Sequence, residues 1–179
     1  RLAWAVDSAG GLVAVDLESR SVRKQPPTGI AVGGVGTDGS LFLTDATHRV
    51  VHVVRRNPVA FHDPLPAAPR ALFGAVNDQL IAVTGGPNPT IVTANAEQIL
   101  NSKPIIHGAV TATFWGDLVA VAGDTAIILY ETMGRRTVSS IPTRRPAREV
   151  AFSPSGHRLY VTGDDADVLV YDRFGLREL

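Results

Sequence analysis

The run Leu159-Tyr160-Val161-Thr162-Gly163 is a strand-like segment that ends in a glycine followed by two aspartates. Four earlier runs begin on a leucine in the same way, at 2–7, 41–45, 80–86 and 118–124. The five leucines (Leu2, Leu41, Leu80, Leu118 and Leu159) are 39, 39, 38 and 41 residues apart. The sequence therefore contains an internal repeat with a period of about 40 residues.

Each leucine run is one of three or four strand-like runs in its repeat. A short turn and a second apolar run follow it, as 126–130 follows 118–122. Four of the five repeats also have a preceding run (29–35, 71–76, 109–114 and 149–152), and polar stretches such as 21–24 and 137–141 come last. The runs are rich in strand-forming residues, and Gly, Pro, Asp and Asn separate them. This spacing is typical of β-propeller blades.

Helices have little room in this sequence, because 17 glycines and 12 prolines are spread along its 179 residues. We predict only one short helical turn, over 97–101. The 45% hydrophobic content is enough for a core, and no apolar run approaches the roughly 18 residues of a membrane helix. The sequence therefore predicts an all-β domain, a β-propeller of about five blade units. The units span approximately 1–28, 29–66, 67–106, 107–145 and 146–179.

The number of predicted strands leaves the ring incomplete. The first unit begins at its second strand, and only seven residues follow Asp172 in the last unit. Propellers close by building one blade from both chain ends, whereas an open ring exposes sheet edges to other chains. We therefore expect the chain to be part of a larger propeller, or to be completed by another protein or a second copy.

Residue size indicates where each strand lies within its blade. The innermost strand runs beside a crowded axis, which favours small residues such as those of Ala31-Val32-Gly33-Gly34-Val35. The second and third strands lie between neighbouring blades, and the continuous apolar composition of 118–122 predicts burial on both faces. Trp4 and Trp115 are expected to pack between blades.

The last unit carries a more specific pattern. Val150-Ala151-Phe152-Ser153-Pro154-Ser155-Gly156-His157-Arg158-Leu159-Tyr160-Val161-Thr162-Gly163, ending in Val170-Tyr171-Asp172, resembles the YVTN and WD40-like β-propeller repeats. In those repeats an FSPDG turn joins the first two strands, and an aromatic–Asp pair closes the third. The other units match less well. At the position of the aromatic–Asp pair the fourth unit has Tyr130-Glu131, and the third unit has no such pair. The resemblance implies a fold but no activity, because propellers serve as scaffolds, lectins, lactonases and cofactor holders.

Six arginines fall at or just after the end of the third strand in four of the five units. We call these candidate partner-binding residues the basic rim: Arg20, Arg55, Arg56, Arg135, Arg136 and Arg173. The planar guanidinium suits carboxylates and phosphates, and several on one rim would attract an acidic partner. The alternative is a solvated set of loops that protects the sheet edges.

The turns between the second and third strands carry aspartates instead. They are Asp7, Asp45, Asp124, Asp164 and Asp165. We interpret them as acceptors of backbone N–H groups that hold the turns, rather than as a cation site. His48 and His52 would lie about 13 Å apart on one strand, too far to share an ion. We therefore assign no metal, cofactor or catalytic residues.

Several function classes are disfavoured by the composition. The chain has no cysteine, which removes disulfides and thiolate chemistry, and it has no GxSxG, P-loop or HExxH motif. Its formal net charge of zero disfavours nucleic-acid binding. The leading hypothesis is a non-enzymatic scaffold that binds proteins through its loop faces. The alternatives are a metal-dependent, lactonase-like hydrolase with a site in the axial channel, and a sugar-binding propeller.

The resemblance also indicates the cellular compartment in which the protein is expected. Many YVTN-type propellers are exported, which favours an extracytoplasmic or periplasmic site over the cytoplasm. The absence of cysteine is compatible with both.

Overall fold

The computed structural model describes residues 2–6, 11–27, 30–35, 40–54, 57–75, 79–105, 111–164, 167–173 and 177–178. Within these residues the chain forms 19 strands in five antiparallel sheets. No helix long and apolar enough to cross a membrane is found in this part of the chain. Each sheet is a meander, in which every strand pairs with the next one along the chain. The prediction of an all-β architecture is confirmed.

The first sheet has three strands and each of the others has four. Sheet 1 contains β1 (Leu2–Val6), β2 (Gly11–Asp16) and β3 (Ser21–Pro27). Sheet 2 contains β4 (Ile30–Val35), β5 (Leu41–Asp45), β6 (Val50–Val54) and β7 (Asn57–Ala60). Sheet 3 contains β8 (Pro69–Gly74), β9 (Leu80–Thr84), β10 (Thr90–Ala94) and β11 (Ile99–Pro104). Sheet 4 contains β12 (Thr111–Trp115), β13 (Leu118–Ala122), β14 (Ala126–Glu131) and β15 (Arg136–Pro142). Sheet 5 contains β16 (Glu149–Phe152), β17 (Arg158–Thr162), β18 (Val168–Asp172) and β19 (Arg177–Glu178).

The repeated leucines occupy corresponding positions in these sheets. Leu41, Leu80 and Leu118 begin the second strands β5, β9 and β13, and Leu159 is the second residue of β17. Leu2 begins β1, so the first sheet starts with the strand that is second in the other four. The five leucines therefore mark one structural position, as their spacing predicts.

The helical turn predicted over 97–101 is wrong. Strand β11 already begins at Ile99 and pairs with β10. The Asn95 side-chain oxygen accepts hydrogen bonds from the backbone N–H groups of Glu97 (3.1 Å) and Gln98 (2.9 Å). This side-chain cap closes a tight turn between two strands. The same kind of cap also begins helices, so the local sequence does not distinguish the two structures.

The second strands fill two cores at once. In β9, Ile81 and Val83 pack toward sheet 4, whereas Leu80 and Ala82 pack toward sheet 2. All four side chains are fully buried. In β13 the same alternation sends Val119 and Val121 toward sheet 3, and Ala120 and Ala122 toward sheet 5. Because successive residues of a strand point to opposite faces, these apolar runs are buried on both sides, as predicted.

The first strands of neighbouring sheets lie side by side. Strand β4 contacts β8, β8 contacts β12, and β12 contacts β16. The approach is closest at Gly34 of β4, where a Cβ atom would overlap the carbonyl oxygen of Leu72 and lie 2.8 Å from the Leu72 Cβ. The small residues predicted beside the axis are therefore required at this position.

The outermost strands β11 and β15 each carry a β-bulge close to the turn that precedes the strand. In β11 the extra residue is Leu100, between the pairs Ile99–Ala94 and Asn101–Thr93. In β15 it is Val138, between the pairs Thr137–Tyr130 and Ser139–Leu129. A bulge disrupts the hydrogen-bonding pattern of an edge strand, so these edges are poor templates for pairing with another chain.

Candidate functional site

The arginines of the basic rim lie where each sheet turns into its outermost strand. Arg20 ends the turn 17–20 between β2 and β3, and Arg135 ends the turn 132–135 between β14 and β15. Arg136 is the first residue of β15, and Arg173 directly follows β18. Turns alternate between the two ends of a meander, so these four residues lie at corresponding ends of their sheets, which we call the rim end. Arg55 and Arg56 lie outside the described residues.

Arg20 and Arg135 share an unusual backbone conformation. Their φ angles are 53° and 51°, in the left-handed region. That conformation is unfavourable by about 1–2 kcal/mol for an L-residue with a Cβ atom, and glycine is the residue that adopts it readily. Neither guanidinium forms an ion pair with a carboxylate of the described residues. Both turns therefore hold an available arginine where backbone geometry favours glycine.

Arg136 and Arg173 are engaged in contacts within the chain. The Arg136 Nε donates to Glu131 Oε2 at 2.8 Å, which raises the pKa of Arg136 above its ordinary value. This pair covers Gly134, where a Cβ would lie 2.6 Å from Glu131 Oε2. The Arg173 guanidinium lies 5.0 Å from the centroid of the Trp115 ring, within the range of a cation–π contact.

Lys103 joins the basic rim across a sheet boundary. Its Nζ donates to the carbonyl oxygen of Arg135 at 2.6 Å, so β11 of sheet 3 is tied to the last turn of sheet 4. Beside it, Asn101 Nδ2 donates to the Tyr130 hydroxyl at 3.0 Å. Burial raises the pKa of Tyr130 above 10.0, while the nearby Arg135 charge acts in the opposite direction. Sequence reasoning missed Lys103 because no local pattern relates it to a turn in the next repeat.

Trp115 connects sheets 4 and 5 at the rim end. Its ring lies flat against Gly156, so that a Cβ there would overlap the indole, and its Nε1 donates to the Pro154 carbonyl at 3.1 Å. Gly156 has φ +71°, a left-handed conformation that glycine adopts readily. The Phe152 ring lies 6.4 Å away, centroid to centroid. The predicted inter-sheet packing is confirmed for Trp115, whereas the side chain of Trp4 lies outside the described residues.

Solved structures resemble this arrangement of sheets. One chain in the crystal structure of a mitotic checkpoint complex matches with a TM-score of 0.70 and 13% identity, over 96% of this chain and 60% of that chain. One in the crystal structure of a nidogen/laminin complex matches with a TM-score of 0.73 and 15% identity, over 99% of this chain and 74% of that chain. No protein-family model and no curated protein matches the sequence.

The fold is a β-propeller. The sheets are its blades, and the contacts from β4 to β16 are those of the strands nearest its axis. The chain spans 60% of the first matched chain and 74% of the second. At identities of 13% and 15%, the likeness shows the fold alone.

The opposite end of the propeller carries the aspartate turns. Asp45 Oδ1 accepts hydrogen bonds from Thr47 Oγ1 (2.7 Å), Thr47 N (2.8 Å) and Arg49 N (3.1 Å), which confirms its predicted role in holding the turn. Asp164 instead pairs with Arg148, whose Nε lies 2.6 Å from Asp164 Oδ1. Asp124 occupies the corresponding turn of the fourth blade, and Asp7 and Asp165 lie outside the described residues.

The two neighbouring histidines have separate environments. His52 is buried in the second blade, where its Nε2 lies 2.8 Å from Ser40 Oγ and its ring stacks on Phe42 at 4.1 Å between centroids. His48 lies in the turn before β6, with φ +64°. Over the described ranges, no group of three or more His, Asp or Glu side chains is placed to hold a metal ion.

Asp45 makes stability depend on pH at the acid end. The Thr47 hydroxyl hydrogen bond, followed by the Arg49 backbone N–H, lowers the pKa of Asp45 below its ordinary value of 3.8. A lowered folded-state pKa contributes stability that is present above the unfolded-state pKa and is lost as pH falls through the folded one. We therefore expect Asp45→Asn to flatten the fall in melting temperature below about pH 4. Equally steep profiles for the two proteins, measured by circular dichroism, would contradict this role.

Proposed function

We propose that this chain is a propeller scaffold that binds an acidic protein partner through the rim end. The observation that carries the proposal is the left-handed backbone of both Arg20 and Arg135. Strained backbone is retained mainly where function requires the residue. Both guanidinium groups are available, and a guanidinium matches a carboxylate with two parallel hydrogen bonds. The two matched solved structures are complexes by their titles, which supports a protein as the partner.

The proposed binding surface comprises the whole basic rim, including Arg55 and Arg56. A single exposed ion pair contributes about 0–1 kcal/mol, so a partner must meet several of these arginines at once. Such binding weakens as salt is added, because the Debye length falls to about 8 Å at physiological ionic strength.

We also propose that the repeats are of the YVTN and WD40-like class, with blade units at the boundaries predicted from the sequence. The turn after β16 supports this assignment, since Ser153 Oγ accepts from Arg158 N at 3.1 Å and Gly156 supplies the positive φ. A second copy or another chain would complete the ring. Size-exclusion chromatography with light scattering tests that point, because a strict monomer excludes completion by a second copy.

Arg20→Gly and Arg135→Gly are each expected to raise the free energy of unfolding by roughly 0.5–1 kcal/mol. Relief of the left-handed strain, about 1–2 kcal/mol, exceeds the added entropy of glycine in the unfolded chain, about 0.5–1 kcal/mol. Urea unfolding followed by circular dichroism measures the change. A loss of stability in both variants would show that the arginines are favourable for the turns themselves.

The same two substitutions test binding without the risk of misfolding. Polyglutamate at low salt serves as the acidic probe, with fluorescence anisotropy as the readout. The double glycine variant is expected to bind it about ten-fold more weakly than the unmodified chain. The matched control, Arg49→Gln with Arg144→Gln, removes two exposed arginines at the opposite end. Equal weakening by the control would reduce the effect to net charge and contradict a specific rim.

A further inference from the structure

We propose that Lys103, Met133 and Arg135 form a docking site for an acidic protein segment with an apolar side chain beside its carboxylate. We call this the Lys103–Arg135 site. It rests on the proposed function and specifies what the partner presents to one part of the rim end. Three independent features of the third and fourth blades support it: a bridging lysine, unpaired positive charge, and an exposed methionine.

The bridging lysine places two cations in one small area. Lys103 is exposed and donates one hydrogen bond to the Arg135 carbonyl oxygen at 2.6 Å. An ammonium group has three donors, so two remain for a ligand. Because the lysine is held against the backbone of the residue that carries the guanidinium, one acidic segment can meet both positive groups.

The positive charge of the site is not neutralised by the described residues. Glu131 lies in the same region, but its Oε2 accepts from Arg136 Nε at 2.8 Å above Gly134. No described carboxylate pairs with Lys103 or Arg135. The site therefore carries two positive charges, and an anionic group is the ligand that matches them.

Met133 supplies the apolar part. Its side chain is 67% exposed, the highest value among the large hydrophobic residues that the structure describes. It lies in the same four-residue turn as Arg135. A flexible methionine adapts to many apolar partners. An apolar contact beside an ion pair excludes water and lowers the local dielectric, which strengthens the attraction between the charges.

The turn 17–20 of the first blade is a natural control. It has the same length, the same left-handed arginine at its last position, and an exposed leucine, Leu17. It differs in that Lys103, the one lysine whose side chain the structure describes, donates to Arg135 and not to Arg20. If lysine and arginine must act together, the first-blade turn binds the same ligand more weakly.

Three matched synthetic peptides test the site by fluorescence anisotropy with the whole chain. They are four repeats of Glu-Leu-Gly, of Gln-Leu-Gly, which removes the charge, and of Glu-Ser-Gly, which removes the apolar side chain. The Glu-Leu-Gly peptide is expected to bind at least about ten-fold more tightly than either control peptide. Lys103→Met, Met133→Ser and Arg135→Gly should each weaken it about three- to ten-fold, and Arg20→Gly less than about two-fold.

The possible outcomes separate this site from the wider proposal. If Arg20→Gly weakens binding as much as Arg135→Gly, the basic rim acts as a whole and the Lys103–Arg135 site is wrong. If Gln-Leu-Gly or Glu-Ser-Gly binds as tightly as Glu-Leu-Gly, the combined charge and apolar recognition is wrong. If neither the three site variants nor the double glycine variant changes binding, both proposals fail. Melting curves of each variant confirm that the fold is intact.

Discussion

Gly34→Ala is expected to lower the free energy of unfolding by about 3 kcal/mol, near the upper end of the usual range for overpacking. The added Cβ would lie 2.6 Å from the Leu72 carbonyl carbon and would overlap its oxygen. Backbone atoms of a paired strand cannot move aside as a flexible side chain can, so β4 and β8 must separate. In a chain of this size the melting temperature should fall by roughly 6–12 °C.

Two comparisons isolate the steric cause of this loss. Gly86→Ala introduces a methyl group with nothing within 4 Å, at φ +89°, and so measures the effect of backbone conformation alone. Gly34→Ala should be the more damaging of the two. The loss should also persist in a Leu72→Ala background, because the atoms that meet the new methyl group remain. If Gly34→Ala is no worse than Gly86→Ala, the strands nearest the axis are not as close as described.

Trp115→Ala is expected to lower the free energy of unfolding by about 3 kcal/mol, the lower end of the range for large aromatic residues because Trp115 is only half-buried. The substitution removes the ring from Gly156, the hydrogen bond to Pro154 and the contact with Arg173. Chemical denaturation monitored by circular dichroism gives the value. A change below about 1 kcal/mol would mean that Trp115 does not hold blades 4 and 5 together.

Gly156→Ala completes a double-mutant cycle with Trp115→Ala. Alone, it combines left-handed strain of about 1–2 kcal/mol with the displacement of the indole. Without the indole, only the strain remains. The double variant should therefore lose less unfolding free energy than the sum of the losses in the two single variants. Additive losses would contradict the direct contact between Gly156 and the ring. The fluorescence of Trp115 should also shift in Gly156→Ala, because the indole loses its place against the turn.

The parts of the fold that follow from local pattern were predictable. The repeated leucines mark equivalent second strands, and the apolar run of β13 is buried on both faces. Strand alternation and turn residues act over a few positions, so a single sequence displays them. The same locality explains the wrong helical turn over 97–101, where an asparagine cap between two strands looks like the start of a helix.

The candidate site was predictable only in part. The sequence indicates the turns that carry Arg20 and Arg135, since both follow a strand-like run. Their left-handed backbone is not apparent, because arginine is not a residue that signals it. The pairing of Arg136 with Glu131 and the approach of Lys103 also appear only in three dimensions. Such contacts distinguish Arg20 and Arg135, whose guanidinium groups are available, from Arg136, which already pairs with a carboxylate.

Local patterns along the chain are sufficient to predict the strands, their order within each repeat and the residues that fill the cores, because hydrophobic periodicity and turn chemistry act between near neighbours in the chain. The contacts between one blade and the next are visible only in the folded chain. The contacts of Gly34 with Leu72, Trp115 with Gly156 and Lys103 with Arg135 join residues 32 to 41 positions apart. They depend on the twist and spacing of whole sheets, which sum many weak contributions along each strand and leave no local signature.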